Sequence, residues 1–314
     1  MIAARPIATI TGTGPGADLF PAAARELLGT LQRVHGHSLR TLLARRAERL
    51  AALRTGALEL ALDPATAAIR DGDWEIAPAP PDLRDRRVEI TGPADRKMMV
   101  SALNSGARVF MADLEDSLSP TWANIVAGHR NLRDAAAGEL RFERPDGTVD
   151  EPVAHPAVLT VRPRGLHLLE EHVTVDGAPM SAALFDAALV AFHTATIPAR
   201  AGSGLYLYLP KLESYHEAEW WDAVLADLER RLGLAYASIR VTVLIETLSA
   251  AFQMDEILYA LRDRVTGLNA GRWDYLFSVI KQLGNRPEHV LPDRTRLTMT
   301  VPFMAAYAER LVAT

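Results

Sequence analysis

Cysteine is absent from all 314 residues, which excludes disulfides, thiolate metal sites and a cysteine nucleophile from this stretch and points to a cytoplasmic setting. An excess of positive charge is also lacking. With 34 lysines and arginines against 39 aspartates and glutamates, and a formal net charge of -5, the chain offers no broad basic footprint to nucleic acid or to a membrane surface. No apolar run reaches the ~18 residues that a membrane span requires. The opening MIAARPIATITGTGPG has none of the basic-then-apolar layout of a secretory signal. Zinc pairs of the HExxH or HxxxH kind, a GxSxG elbow and a GxxxxGK[ST] loop are all missing. His167 and His172 stand five residues apart, while His193 and His216 are isolated, so these histidines read as structural.

What is present is apolar residue in quantity, 49% of the chain, enough for one large core with an appendage. Residues 1 to about 80 read as helical, with apolar residues at three- and four-residue spacing over 19–31 and 39–53. The arginines Arg40, Arg45, Arg46, Arg49 and Arg54 fit a solvated helix face. The stretch APAPPD at 77–82 cannot continue a helix and marks a boundary, giving segments 1–80 and 81–314.

Beyond it, candidate strands at 88–91, 108–112, 157–161, 205–209, 241–245 and 265–268 alternate with helical patterns at 95–104, 184–193, 217–232 and 251–262. A turn at 202–204 leads into the fourth strand. Such alternation predicts an α/β fold with a parallel sheet and right-handed crossovers, closed as a barrel or open and doubly wound. An insertion near 139–153 reads as a hairpin around Pro145-Asp146-Gly147.

Polar residues recur just after the strands: Asp113, Glu115, Asp116 and Ser117, then Arg162 and Arg164, Lys211, Glu246 and Thr247, and finally Gly271, Arg272 and Asp274. In parallel α/β proteins the loops at this rim converge on ligands. Glu246 and Asp274 lie one βα unit apart, so their carboxylates are expected to converge. A hard cation such as Mg²⁺ relieves their repulsion using one or two carboxylates. The other reading of each is a helix cap, and spacing does not choose between them. Arg162 and Lys211 supply positive charge for an anionic ligand or pair with Glu115 and Asp116. Asp113 and Glu115, two apart on an extended segment, point to one side and are candidates, with Lys211, for orienting the groups that hold the ion.

The segment RDRVTGLNAGRWDYLF at 262–277 closely resembles the signature of malate synthases of the A type. VEITGPADRKM at 88–98, VFMADLEDS at 109–117, PAVLTVRPRGLHL at 156–168, LYLPKLES at 207–214, LIETLSAAFQMDEI at 244–257 and VLPDR at 290–294 agree with it. The resemblance implies a TIM (β/α)₈ barrel, incomplete here at about six of eight strands and preceded by an N-terminal helical clasp. It implies condensation of acetyl-CoA with glyoxylate and hydrolysis of malyl-CoA to malate, an acyl transfer of the glyoxylate bypass. On that footing Glu246 and Asp274 hold Mg²⁺, Gly271, Arg272 and Trp273 bind glyoxylate, Arg162 stabilises the enolate, and Ser117 touches acetyl-CoA.

Two departures follow. Arg264 stands where the signature usually has histidine, before the strand and away from the rim, so little effect is expected. In the family the last two strands, a catalytic aspartate and a helical plug follow a helix like 302–312. Residues 1–314 alone are therefore expected to be inactive or nearly so, with a complementing C-terminal chain as an expected partner. The rival readings are a malyl-CoA or citramalyl-CoA lyase of the citrate lyase β-subunit type, and a non-catalytic partner that binds acetyl-CoA.

Overall fold

The computed structural model describes residues 7–13, 16–194, 197 and 203–314; Gly202 of the expected 202–204 turn lies outside them. The strands are β1 (Thr9–Ile10), β2 (Glu89–Pro93), β3 (Val109–Asp113), β4 (Phe142–Glu143), β5 (Val149–Asp150), β6 (Val158–Arg162), β7 (Leu169–Val175), β8 (Ala178–Ser181), β9 (Tyr206–Leu209), β10 (Arg240–Ile245) and β11 (Val265–Ala270). The helices are α1 (Ala22–Thr55), α2 (Ala67–Arg70), α3 (Arg96–Leu103), α4 (Trp122–Ala137), α5 (Ala182–Thr194), α6 (Tyr215–Leu232), α7 (Leu248–Ala251), α8 (Met254–Ala260), α9 (Arg272–Leu283) and α10 (Pro302–Ala313). They fall into two compact units. The first holds the described residues of 1–37, 78–208 and 224–241, the second those of 38–77, 209–223 and 242–314.

In the first unit β2, β3 and β6 run parallel, in register from Glu89↔Val109 to Pro93↔Asp113 and from Val109↔Val158 to Asp113↔Arg162. Strand β9 joins β6 in parallel through Val161↔Leu207. Arg240, opening β10, donates its N–H to the Leu205 carbonyl at 3.1 Å, so the order is β10-β9-β6-β3-β2. Parallel neighbours need long crossovers, and the helical stretches between the strands supply them. Strand β3 is buried throughout, which is why VFMA is a continuous apolar run without alternation. Helix α5 buries ten successive residues, Ala182 to Ala191, as a helix apolar on every side must.

Helix α4, the β7–β8 hairpin and the short strand β1 have no counterpart in the sequence reading. Helix α4 starts at Thr121, whose hydroxyl accepts the Asn124 N–H, and stops at Gly138 with φ 73°. Those are ordinary helix signals at both ends. Strands β7 and β8 form an antiparallel hairpin with β1 on the outer side of β7. Its turn residues Asp176 and Gly177 both have positive φ, 53° and 81°, the backbone that suits a tight hairpin. Strands β4 and β5 pair antiparallel in the 139–153 insertion.

In the second unit the rest of β10 neighbours β11, with the Thr242 and Thr266 hydroxyls 3.1 Å apart. Val243, Ile245, Leu276, Met304 and Tyr307 are buried in its core. The expected helix at 251–262 is two, α7 and α8, interrupted at Phe252 and Gln253.

The expected helices at 19–31 and 39–53 are also corrected: α1 is one helix of 34 residues. No proline interrupts it, and its two glycines, Gly29 and Gly36, each cost only about 1 kcal/mol relative to alanine. His35, on the intervening turn, is buried with its Nε2 3.1 Å from Asp227 Oδ2. The solvated arginine face is overturned in part. Arg46 keeps only 11% of its side chain exposed, and its Nε donates to Glu217 Oε1 at 2.6 Å.

Candidate active site

Asp113 and Arg162 close strands β3 and β6 at paired positions. The guanidinium grips the carboxylate with both forks, Nε to Oδ1 at 2.7 Å and Nη2 to Oδ2 at 2.5 Å. Nη1 lies 3.4 Å from Asp116 Oδ2 and 3.9 Å from Glu115 Oε2. Burial works against ionising Asp113, yet the hydrogen bonds and charge of Arg162 outweigh it and hold the carboxyl below the usual carboxylate range. Asp113 also accepts the N–H of Glu115 at 2.8 Å, the N–H of Ser117 at 2.8 Å and the Ser117 hydroxyl at 2.6 Å. One carboxylate thereby orients Arg162 and ties down the loop after β3.

The loop after β6 is fixed as firmly. Glu115 Oε1 accepts the Gly165 N–H at 3.0 Å. A Cβ on Gly165 would meet that oxygen at 2.7 Å, so only glycine lets the loop approach. Arg164, buried, gives its Nε and Nη2 to Asp186 at 2.9 Å each and its Nη1 to Glu170 at 2.8 Å. His129 Nε2 lies 3.0 Å from Asp186. Against full burial, the Arg164 charge and the His129 hydrogen bond bring the Asp186 carboxyl down to about 2.

In the second unit Glu246 and Asp274 both meet Lys211. The Lys211 N–H donates to Glu246 Oε1 at 2.8 Å, and its Nζ lies 3.4 Å from Asp274 Oδ1. Lys211 has φ 53°, uncommon for a side-chain-bearing residue. Its carbonyl accepts Arg46 Nη2 at 2.9 Å, so an arginine on α1 braces the residue whose N–H reaches Glu246. Glu246 is 1% exposed and lies against the backbone of Gly271, where an added Cβ would come within 2.4 Å of its Cβ and 2.7 Å of its Oε2.

Gly271 caps the N-terminus of α9, with Arg272, Trp273 and Asp274 in its first turn. The first N–H groups of a helix have no partner within it, and its dipole favours an anion there. The Arg272 side chain is committed elsewhere, donating to the Leu297 carbonyl and lying 4.6 Å from the Trp273 ring. Trp273 is more than half exposed.

Among the described residues no group of three or more His, Cys, Asp or Glu side chains could hold a metal. The two carboxylates that meet at Lys211 nevertheless suit a hard cation that keeps most of its positions for water and substrate oxygens. The structure thus gathers Asp113, Glu115, Ser117 and Arg162 in one unit and Lys211, Glu246, Asp274 and Gly271 in the other. Sequence reasoning missed the pairing of Arg46 with Glu217 and of Arg164 with Asp186, and it missed Tyr307 altogether. Arg46 carried only a surface pattern, and Tyr307 no motif at all.

A sequence profile described as malate synthase, TIM barrel domain, matches residues 158–314. A malate synthase of Myxococcus xanthus is 50% identical over 298 residues, covering 95% of this chain and 55% of the relative. Malate synthase A of Escherichia coli is 53% identical over 249 residues, covering 79% and 47%. A glyoxysomal malate synthase of Ricinus communis is 46% identical over 305 residues, covering 96% and 54%. The chain therefore spans about half the length of these relatives. The matched domain agrees with an α/β barrel, of which the described residues supply six strands.

Proposed function

This chain belongs to the malate synthase family, and from that premise we propose that it carries the glyoxylate and Mg²⁺ site of an acyltransferase that joins acetyl-CoA to glyoxylate, the resulting malyl-CoA being hydrolysed by water to malate and CoA. The observation that carries the reading is the meeting of Glu246 and Asp274 at Lys211, with Gly271 pressed against Glu246.

Glu246 and Asp274 would hold the ion. When bound, Mg²⁺ supplies Lewis-acid polarisation of the aldehyde. The chain's own groups do the rest. The N-terminal turn of α9 receives the glyoxylate carboxylate beside Gly271, through the backbone N–H groups of Arg272 and Trp273. Arg162, aimed by Asp113, opposes the negative charge that develops on the thioester oxygen as the acetyl group becomes an enolate. Ser117, held by Asp113, would contact acetyl-CoA. Asp113, Glu115 and Lys211 orient these groups and do not touch substrate.

Turnover needs a base for the acetyl methyl proton, and we assign it to polypeptide beyond these residues, a complementing C-terminal segment. Two things support that assignment: the chain matches only 47–55% of the Escherichia coli and Myxococcus xanthus relatives, and α9 exposes Trp273, Phe277 and Ile280 along one face. A cytoplasmic location is part of the same proposal. No described helix is long and apolar enough to cross a membrane.

Calorimetric titration of purified 1–314 with Mg²⁺, then glyoxylate, tests the site. Millimolar or tighter binding, lost in Glu246→Gln and in Asp274→Asn, is expected; a wild-type chain blind to both ligands overturns the reading. Malate formation from acetyl-CoA and glyoxylate is expected to be near zero for 1–314 alone, and ordinary turnover by it refutes the need for a complementing segment.

A further inference from the structure

Tyr307 lies on α10, is 3% exposed, and has no role in the chemistry above. Its hydroxyl donates to the carbonyl of Ile245, the residue immediately before Glu246. The Gly271 N–H reaches the same carbonyl at 3.4 Å and also faces the phenol oxygen. The ring of Tyr307 stacks on that of Tyr275, the residue immediately after Asp274, at 3.9 Å between centroids and 9° between planes. A buried phenol needs a partner for its O–H, and here the partners are the end of one strand and the start of the next helix.

We propose that Tyr307 is a positioning residue: its hydroxyl ties the end of β10 to the N-terminus of α9, its ring clamps Tyr275, and the two together fix the spacing of Glu246 and Asp274. Both acids sit within one residue of a group that Tyr307 touches. The strand end and the helix start are also joined by the bond from Gly271 to the Ile245 carbonyl, at 3.4 Å long for an amide hydrogen bond. The proposal rests on the reading of these carboxylates as a divalent-ion pair.

The test uses the chain 1–314 as wild type, Tyr307→Phe and, as control, Tyr236→Phe at an exposed position of the other unit. Tyr307→Phe keeps the ring stack and removes only the hydroxyl. Three quantities are measured: Mg²⁺ affinity by calorimetry, amide hydrogen exchange over residues 268–276 without metal, and the melting temperature. With melting within a few degrees of wild type, Tyr307→Phe is expected to bind Mg²⁺ about tenfold more weakly and to exchange about tenfold faster at 271–274, as the loss of one buried hydrogen bond predicts. Tyr236→Phe is expected to change neither. Unchanged Mg²⁺ affinity in Tyr307→Phe overturns the proposal. If the wild type binds no Mg²⁺, the ion-pair reading fails by itself and exchange decides: faster exchange in the variant upholds the tie, and unchanged exchange refutes it.

Discussion

Asp113 and Arg162 end adjacent parallel strands in register and are joined by two parallel hydrogen bonds of 2.7 and 2.5 Å, with the carboxylate fully buried. The pairing is a product of register: a one-residue slip of β6 would turn the guanidinium to the opposite face. The same carboxylate accepts the Ser117 and Glu115 N–H groups, so its loss disturbs the loop after β3 and the arginine together.

Asp113→Asn removes the negative charge from a buried pair and is expected to destabilise the chain by about 3–5 kcal/mol, the range for an ion left buried without its partner. Urea unfolding measures it. A midpoint unchanged from wild type would mean that water already solvates Arg162.

Arg46→Met tests the brace behind Lys211. Glu217, whose side chain is 1% exposed, would lose the guanidinium that faces it at 2.6 Å, at a cost on the order of 3 kcal/mol. The double variant Arg46→Met with Glu217→Gln is expected to recover most of that loss, since no buried charge is then left alone. Thermal unfolding of both variants decides, and equal destabilisation in the two speaks against the pair.

Gly271→Ala forces a methyl group against Glu246, at 2.4 Å from its Cβ. Relief must come from displacing the carboxylate, because the backbone of Gly271 opens a helix. Overpacking of this kind costs about 1–3 kcal/mol, and Mg²⁺ affinity is expected to fall by about tenfold or more in a titration. Wild-type affinity in this variant would show that Glu246 need not stay where it is.

Acid sensitivity follows from Asp186. Its carboxyl is lowered to about 2 from an ordinary 3.8, so the folded state prefers it ionised. That preference stabilises the fold by about 2 kcal/mol above pH 3.8, and the contribution fades as pH falls from there through 2. Urea midpoints followed from pH 6 to pH 2 are expected to drop in that window, and less steeply in Asp186→Asn, which is destabilised at every pH.

The sequence by itself determined the strands of the sheet and the rim residues, because apolar runs of strand length and the polar residue that follows each are local patterns. It also carried the family, through GLNAGRWDY and the blocks that agree with it. It misplaced what local pattern cannot hold. The apolar spacing over 19–31 and 39–53 suggested two helices, but His35 is seated on Asp227, 192 residues away, and α1 runs on. Arg46 looked solvated because its acceptors, Glu217 and the Lys211 carbonyl, lie more than 160 residues along the chain. Tyr307 carried no signal, since its importance lies in where α10 lands. Which carboxylate an arginine meets, and which carbonyl a phenol reaches, only the tertiary structure decided: such partners are chosen by burial, where an unpaired polar group costs more than any local preference supplies.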